Sequence, residues 1–344
     1  MNNPPTVTMQ DVAHAAGVGV ATVDRVINQR AAVRPETAQR VLDAAERLGF
    51  RRAGLIRRRL VTDTQPQRLG FLLQSRRTPF YRQLAAELNA AARQSEPAAQ
   101  PVIEHLDDLT PRHVAARLLR MAQQVDAIAL VAADHPTLNA AVADAVAQHQ
   151  VPVFAAVSDL SSPALAGYVG VDNLKMGRTA AWVLSRLCAP GSKVALLLGS
   201  HRYLCQEQCE ISFRSYLREA APTFQVLETL VSLEDTQLAQ NATWELLHQH
   251  PDLAGIYVAG GGIEGVLDAL REAPEHRLVT VCHDLSDVTR QALLDGTITT
   301  VLSHPLPALA ARLCAAMQQA LQVRRTARRL QVALPFEFYT AANV

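Results

Sequence analysis

Two groups of residues have the types and spacing to do chemistry. The first is cationic. Val20, Ala21, Thr22 and Arg25 share the outer face of a short helical pattern, and Arg57, Arg58 and Arg59 run together before Leu60. Guanidinium groups hold phosphates or enter a narrow minor groove. The plainer reading of a bare arginine cluster is a solvated basic surface. The second group mixes imidazole, thiol and carboxylate. His201, Cys205 and Cys209 are spaced i, i+4, i+8, so on one helix they share a face, near His283 and His304. Thiolate–imidazole metal ligation is then a candidate chemistry, set against the more ordinary fate of helix cysteines as small buried hydrophobes. Phe80 and Tyr81 follow an apolar strand pattern. An aromatic face there stacks on a sugar C–H surface, or else packs inward at a helix start. Asp134 and Asp159 also follow strand patterns, where a carboxylate accepts hydroxyl hydrogens or caps the next helix. Glu264 and Asp284 suit hydroxyls or an amine, while His201, Arg202 and His283 suit anionic or polar parts of a ligand.

Catalysis has weaker support. There is no G-x-x-x-x-G-K-[ST] loop and no G-x-S-x-G elbow. The glycine run AGGGIEG is only a loose look-alike of a phosphate loop. A doubly wound enzyme is therefore the minor alternative, and no resident cofactor or metal is expected. Composition narrows the class further. Of 344 residues, 49% are hydrophobic and 19% charged, unlike a disordered chain. No run reaches about 18 uninterrupted apolar residues, so no membrane span is expected. Five cysteines, an odd number in a long chain, argue against a disulfide framework. No basic stretch followed by an apolar one opens the chain, so a cytoplasmic location is expected. Charge is uneven: residues 1–60 hold ten arginines and five carboxylates, a net +5, and the remainder holds 23 basic and 27 acidic residues. A cationic head on a mildly acidic body suits a polyanion.

The head pattern predicts three helices. Thr8 is a good N-cap with Asp11 in the first turn, and Val12, Ala13 and Ala16 form an apolar stripe. Gly17-Val18-Gly19 makes a turn, with Gly17 suited to the left-handed conformation. The next helix, about Val20 to Asn28, turns Val23, Val26 and Ile27 inward. A third starts near Arg34-Pro35 and ends at Gly49. Two short helices on a glycine turn with a supporting third make a helix-turn-helix, and the slim exposed start of the second can enter a major groove.

The run DVAHAAGVGVATVDRVINQRAAVRPETAQRVLDAAERLGF resembles the DNA-binding head of the lactose-repressor (LacI/GalR) family over about 40 residues. The resemblance implies that Val20, Ala21 and Arg25 read bases, and Arg25 can bond guanine O6 and N7 together. It places Thr8, Thr22 and Asn28 at backbone-contacting positions. It makes residues 51–67 a hinge and linker in which a leucine wedges into the minor groove. Here that leucine's usual position aligns with Arg59, and Leu60 comes one step later. Gly19 and Asp24 each replace a serine of the family pattern, which implies an altered operator preference.

Beyond residue 67, apolar strand patterns alternate with helical ones. The strands are expected at Leu69–Leu73, Pro101–Glu104, Ala127–Ala132, Val151–Val157, Tyr168–Val171, Val194–Leu198, Val226–Val231, Gly255–Ala259, Val279–Cys282 and Thr299–Leu302. That is too many for one ordinary sheet, so two doubly wound parallel lobes with a ligand between their strand ends are expected. Pieces such as YVGVDNLKMGRTAA and DGTITTVLSHP also resemble the family's core, which is similar to type I periplasmic sugar-binding proteins. The expected organisation is an all-α helix-turn-helix head at 1–50 and an effector-binding α/β core at 68–344. One lobe would hold about 68–167 and 303–328, the other about 168–302 and 329–344. Asp172 is expected at the crossing, capping a helix. Cys209 stands where the family often has a sugar-gripping arginine, Gly260-Gly261-Gly262 where Asn-Asp is frequent, and His283-Asp284 where Asp-Asp is frequent. These departures put ordinary hexose recognition in doubt. The implied function is a DNA-binding repressor, a homodimer or higher oligomer on two-fold operator DNA. Its effector would be a sugar, polyol or related small metabolite. A metal or thiol sensor of the same architecture, and a solute-binding protein without gene control, are the alternatives.

Overall fold

The computed structural model describes residues 7–28, 33–50, 53, 56, 66–322 and 329–344. It divides into two units, Met1–Gln67 and Arg68–Val344.

In the first unit, α1 (Met9–Ala16), α2 (Val20–Asn28) and α3 (Pro35–Arg47) surround a small aliphatic core. Val12, Val23, Ile27, Val41, Ala45 and Ile56 are its most deeply buried members. The apolar stripes occur at helical spacing, so one face of each helix can be covered. Thr8 and Asp11 form a capping box: the Thr8 side chain accepts from the Asp11 amide while the Asp11 carboxylate accepts from the Thr8 amide. Gly17 ends α1 at φ 61°, and the Val18 amide bonds back to the Ala13 carbonyl at 3.0 Å. Arg40 of α3 donates to the Ala16 carbonyl at 2.6 Å, placing a cation on the negative end of α1.

The second unit has two sheets. The first, in spatial order, is β12 (Leu330–Leu334), β5 (Gly167–Val171), β4 (Val153–Ala156), β3 (Ala127–Leu130), β1 (Arg68–Gln74) and β2 (Gln100–Leu106). All its pairs are parallel. The second is β13 (Glu337–Tyr339), β11 (Thr300–Ser303), β10 (Val279–His283), β9 (Leu253–Val258), β6 (Lys193–Leu198) and β7 (Gln225–Val226), with β8 (Leu230–Val231) also on β6. Among the described residues only β13 runs antiparallel.

Helices cover both faces of each sheet, as parallel crossovers require. Phe71 points toward α4 (Pro79–Gln94) and α12 (Leu306–Gln322), while Leu72 points toward α5 (Pro111–Met121) and α6 (Pro136–His149). In the second sheet Leu196 faces α7 (Asn173–Leu187) and α8 (Leu204–Ala220). Leu197 faces α9 (Thr236–Gln249), α10 (Ile263–Glu272) and α11 (Asp287–Leu294). Consecutive strand residues thus feed opposite layers. Among the described residues no helix is long and apolar enough to cross a membrane, and the five cysteines are free thiols.

The lobe boundaries differ from the expected ones. Tyr168 begins no second lobe: β5 pairs with β4, in register Ala155 with Tyr168, and is buried throughout. Ser303 closes β11 in the second sheet. Of the C-terminal segment assigned whole to the second lobe, β12 joins β5 in the first sheet and only β13 joins the second. The chain therefore changes lobe at Asp172, at His304-Pro305 and at Pro335-Phe336. The strand expected at Val226–Val231 is two separate two-residue strands on β6. Asp172 caps α7 through the Lys175 amide at 3.1 Å.

Gly177 of α7 lets α8 approach closely, because a Cβ there would overlap the Cys209 carbonyl and the Ser212 hydroxyl. Gly177→Ala should force the helices apart at a cost of about 1–3 kcal/mol. Calorimetry of the full chain checks it as a fall in the Tm of the core; an unchanged Tm would contradict this packing.

Candidate functional site

The outer face of α2 carries the residues expected to read DNA. Val23, Val26 and Ile27 anchor the helix in the core, and Val20, Ala21, Arg25 and Asn28 are exposed, with Thr22 half-buried. Ala21, Arg25 and Asn28 are spaced i, i+4, i+7 and form one stripe. Gly19 starts the helix with its carbonyl, which accepts from the Thr22 amide at 2.9 Å. Thr8 and Asn28, the expected backbone contacts, have internal partners. The Thr8 hydroxyl donates to Asp11 at 2.7 Å and the Asn28 amide donates to Asp24. Those bonds from Thr8, backbone first, hold the Asp11 carboxyl below its usual range. Arg57, Arg58, Arg59 and Leu60 lie outside the described residues.

Between the two lobes of the core lies a cleft of about 970 Å³. Its walls come from strand carboxyl ends: Gln74 at the end of β1, Val157 after β4, Ala259 after β9, His283 at the end of β10 and His304 after β11. Phe80 and Tyr81 open α4 on the first-lobe wall, with ring centroids 5.0 Å apart and edge to face. Phe80 also meets the His304 ring edge to face at 5.4 Å. Burial, followed by nearby Tyr203 and Glu234, keeps the Tyr81 hydroxyl protonated far above neutral pH. At one side the lobes are joined. The Gln74 amide donates to the Tyr203 hydroxyl at 2.9 Å, and the Asp134 amide donates to the Arg202 carbonyl at 2.8 Å.

The second-lobe wall is built around acids. Glu234 accepts from Gln206 Nε2 at 2.7 Å, and Gln206 Oε1 accepts from the Gly199 and Ser200 amides at 2.8 and 2.9 Å. Leu233 and Glu234 both have left-handed backbones, φ 53° and 61°, a strained pair for residues with side chains. Cβ atoms at Gly199 or Gly261 would collide with the Glu234 carboxylate. The glycine run thus makes room for a carboxylate rather than for a phosphate. Burial raises the Glu234 carboxyl above its ordinary value, against the bonds from Gln206 and Gly261.

Glu264 stands in the first turn of α10. Asp284, at φ 63°, accepts from the His304 amide at 3.0 Å, and its Oδ1 lies 2.7 Å from His304 Nδ1. Burial alone would raise the Asp284 carboxyl, but the His304 charge and hydrogen bonds hold it below its usual range. His283 Nε2 lies 2.6 Å from the Tyr257 hydroxyl. Burial pushes its pKa down to about 4, with Asp284 opposing and His304 reinforcing.

Five expected effector residues line this cleft: Phe80, Tyr81, Glu264, His283 and Asp284. Four do not. Asp134 is taken up by Ser161 and Asn139 within its own lobe, at 2.8 and 3.0 Å. Asp159 pairs with Arg329 and caps the Leu160 amide. His201 pairs with Glu210 at 2.9 Å on the outside. Cys209 is buried, its thiol donating to the Asn173 carbonyl at 3.4 Å. The imidazole–thiolate face also fails geometrically, since His201 precedes α8 instead of lying on it. Among the described residues no three His, Cys, Asp or Glu side chains are grouped to hold a metal ion. Cys205 does reach the cleft, and burial pushes its thiol up to about 12, so it is no thiolate at neutral pH. Glu234, Gln206 and Tyr203 went unrecognised. The only signal for Glu234 was its place after an apolar strand and before the helix-capping Asp235.

Two family models match the chain: bacterial regulatory proteins of the lacI family over residues 8–53, and a periplasmic binding protein domain over residues 69–325. The chain belongs to the periplasmic binding protein domain family, and it carries a lacI-family head domain. The ribose operon repressor of Bacillus subtilis (strain 168) is 26% identical over 313 residues, 86% of each chain. Catabolite control protein A of Priestia megaterium is 37% identical over 79 residues, so the match spans only 23% of that relative and 23% of this chain. A solute-binding protein of an Agrobacterium vitis ABC transporter, bound with alpha-D-tagatopyranose, shares the core fold. It has a TM-score of 0.73 and 19% identity over 80% of this chain and 95% of its own.

The His283 shift has a definite sign. The folded state disfavours the charged ring, so its contribution is present above the ordinary value of 6.5 and is lost as pH falls toward about 4. Thermal melts from pH 7 to pH 4.5 should fall more steeply for the parent than for His283→Gln; equal slopes would contradict a buried neutral imidazole.

Proposed function

We propose that the protein is a transcriptional repressor. In this reading its helix-turn-helix head binds a specific operator, and its core couples that affinity to a small polar effector in the interlobe cleft. One observation carries the reading: a helix with Val20, Ala21 and Arg25 outward shares a chain with a two-lobed cleft of 970 Å³. That volume falls at the upper end of small-molecule sites, about 300–1,000 Å³. Arg25 supplies bidentate readout of guanine, and the slim Val20 and Ala21 let the backbone approach base edges. The arginine-rich head adds sequence-independent attraction to phosphate.

The effector acts by preferring one lobe arrangement, so effector and DNA affinities change by the same factor. The likeness to the ribose operon repressor supports gene control by a carbohydrate-sized molecule. The protein works as a homodimer or higher oligomer on a two-fold operator. It is a regulator and not an enzyme, in keeping with relatives named as repressors and regulatory proteins.

Gel-shift titration of the full chain against the DNA upstream of its own gene tests the reading. Arg25→Ala should lose about 1–3 kcal/mol of affinity for the preferred sequence while its salt-sensitive binding to unrelated DNA persists. A variant that ranks sequences as the parent does would refute base reading by α2.

A further inference from the structure

Three side chains of the cleft present polar atoms that have no partner among the described residues. Glu264 is half-buried in the wall and has no hydrogen-bond or ion-pair partner among the described residues. Asp284 uses Oδ1 for both of its bonds with His304, leaving Oδ2 open. The His304 side chain is 95% buried, lines the cleft, and has no partner at Nε2. Because the Asp284 carboxylate can only accept, His304 Nδ1 carries the proton and donates to it. A buried polar atom left open in this way calls for a partner from outside the chain.

Charge points the same way. Among the described residues five carboxylates line the cleft, those of Asp107, Glu234, Asp235, Glu264 and Asp284, against one exposed guanidinium, that of Arg77. Asp107 takes the Ser75 hydroxyl at 2.6 Å, and Asp235 caps α9 through the Leu238 amide at 2.8 Å. Glu234, Glu264 and Asp284 remain on one wall. Neighbouring His283, held neutral by burial, adds no positive charge. Two helix ends at the cleft are already capped, α9 by Asp235 and α11 by Ser286, and the uncapped first turn of α10 carries the Glu264 carboxylate. A phosphate or carboxylate would enter beside like charges. A neutral polyol would hydrogen-bond the carboxylates but leave their charge uncompensated in the cleft.

We propose that the effector carries a protonated amino group on a small hydroxyl-bearing frame, an amino sugar or amino polyol, with Glu264 and Asp284 receiving its N–H donors and His304 Nε2 bonding one of its hydroxyls. This rests on the reading that the cleft is the effector site. An ammonium supplies three donors and one positive charge, and the Phe80 and Tyr81 rings line the opposite wall, where an aromatic ring attracts a cation.

The test uses the full-length protein and matched ligand sets, read by thermal shift and titration calorimetry. Glucosamine, glucose, glucose 6-phosphate and gluconate form one set, and the other aldohexoses, aldopentoses and polyols supply the rest. In at least one set the amino member should bind tenfold or more tightly than its hydroxyl counterpart, with no shift from the phosphate or acid members. Glu264→Gln should remove that preference while keeping the parent's Tm without ligand. The proposal is overturned if a hydroxyl member binds as tightly as its amino counterpart, if a phosphate or acid member binds, or if no amino member binds. A neutral sugar that binds the parent and is lost in Tyr81→Ala leaves the cleft reading standing and removes only the amine. Silence from every class removes both.

Discussion

Parallel β–α crossovers impose the constraint on which the core depends. Each strand of such a sheet delivers its carboxyl end, and the start of the next helix, to the same side. With two such sheets in one compact unit, those ends converge on one space. Gln74, Ala259, His283 and His304 are wall residues for that reason. So are the N-terminal residues of α4, α9, α10 and α11, whose amides stabilise negative charge nearby. The third requirement is that the chain pass between lobes, and it does so at strand ends, at Asp172, His304-Pro305 and Pro335-Phe336. His304 sits at one of these passages, bonded to Asp284 of the second lobe and touching Phe80 of the first.

Most of the fold was legible because its strands are short aliphatic runs and its helices repeat apolar residues every three or four positions. Val153–Ala156 or Leu196–Leu198 needs both faces covered, and that is visible in composition alone. The exchange of terminal strands was not legible. Leu330–Leu334 alternates half-buried and exposed residues, a pattern that fits the edge of either sheet, and the choice is made by pairing with Gly167–Val171 far away in the chain.

The cleft was half legible. Position after a strand found Phe80, Tyr81, His283 and Asp284, since topology sends such residues to the cleft. The same rule misplaced Asp134 and Asp159, because a strand-end carboxylate serves its own loop equally well: Ser161 claims one and Arg329 the other. Helical spacing misled at His201, where the helix begins only at Leu204. Glu234 depends on three-dimensional space that no local pattern encodes, namely the missing side chains at Gly199 and Gly261. The glycine run was visible, but its purpose was not. In the head the three helices and their inward-facing residues were readable, because each short helix must bury one apolar face to hold together.

The central claim is that the head discriminates among DNA sequences. Selection of bound duplexes from a random pool by the full-length protein, over successive rounds at physiological salt, tests it most directly. The account predicts that one inverted-repeat sequence rises far above the starting pool, with guanine fixed in each half. Recovery of the pool without an enriched motif would contradict it.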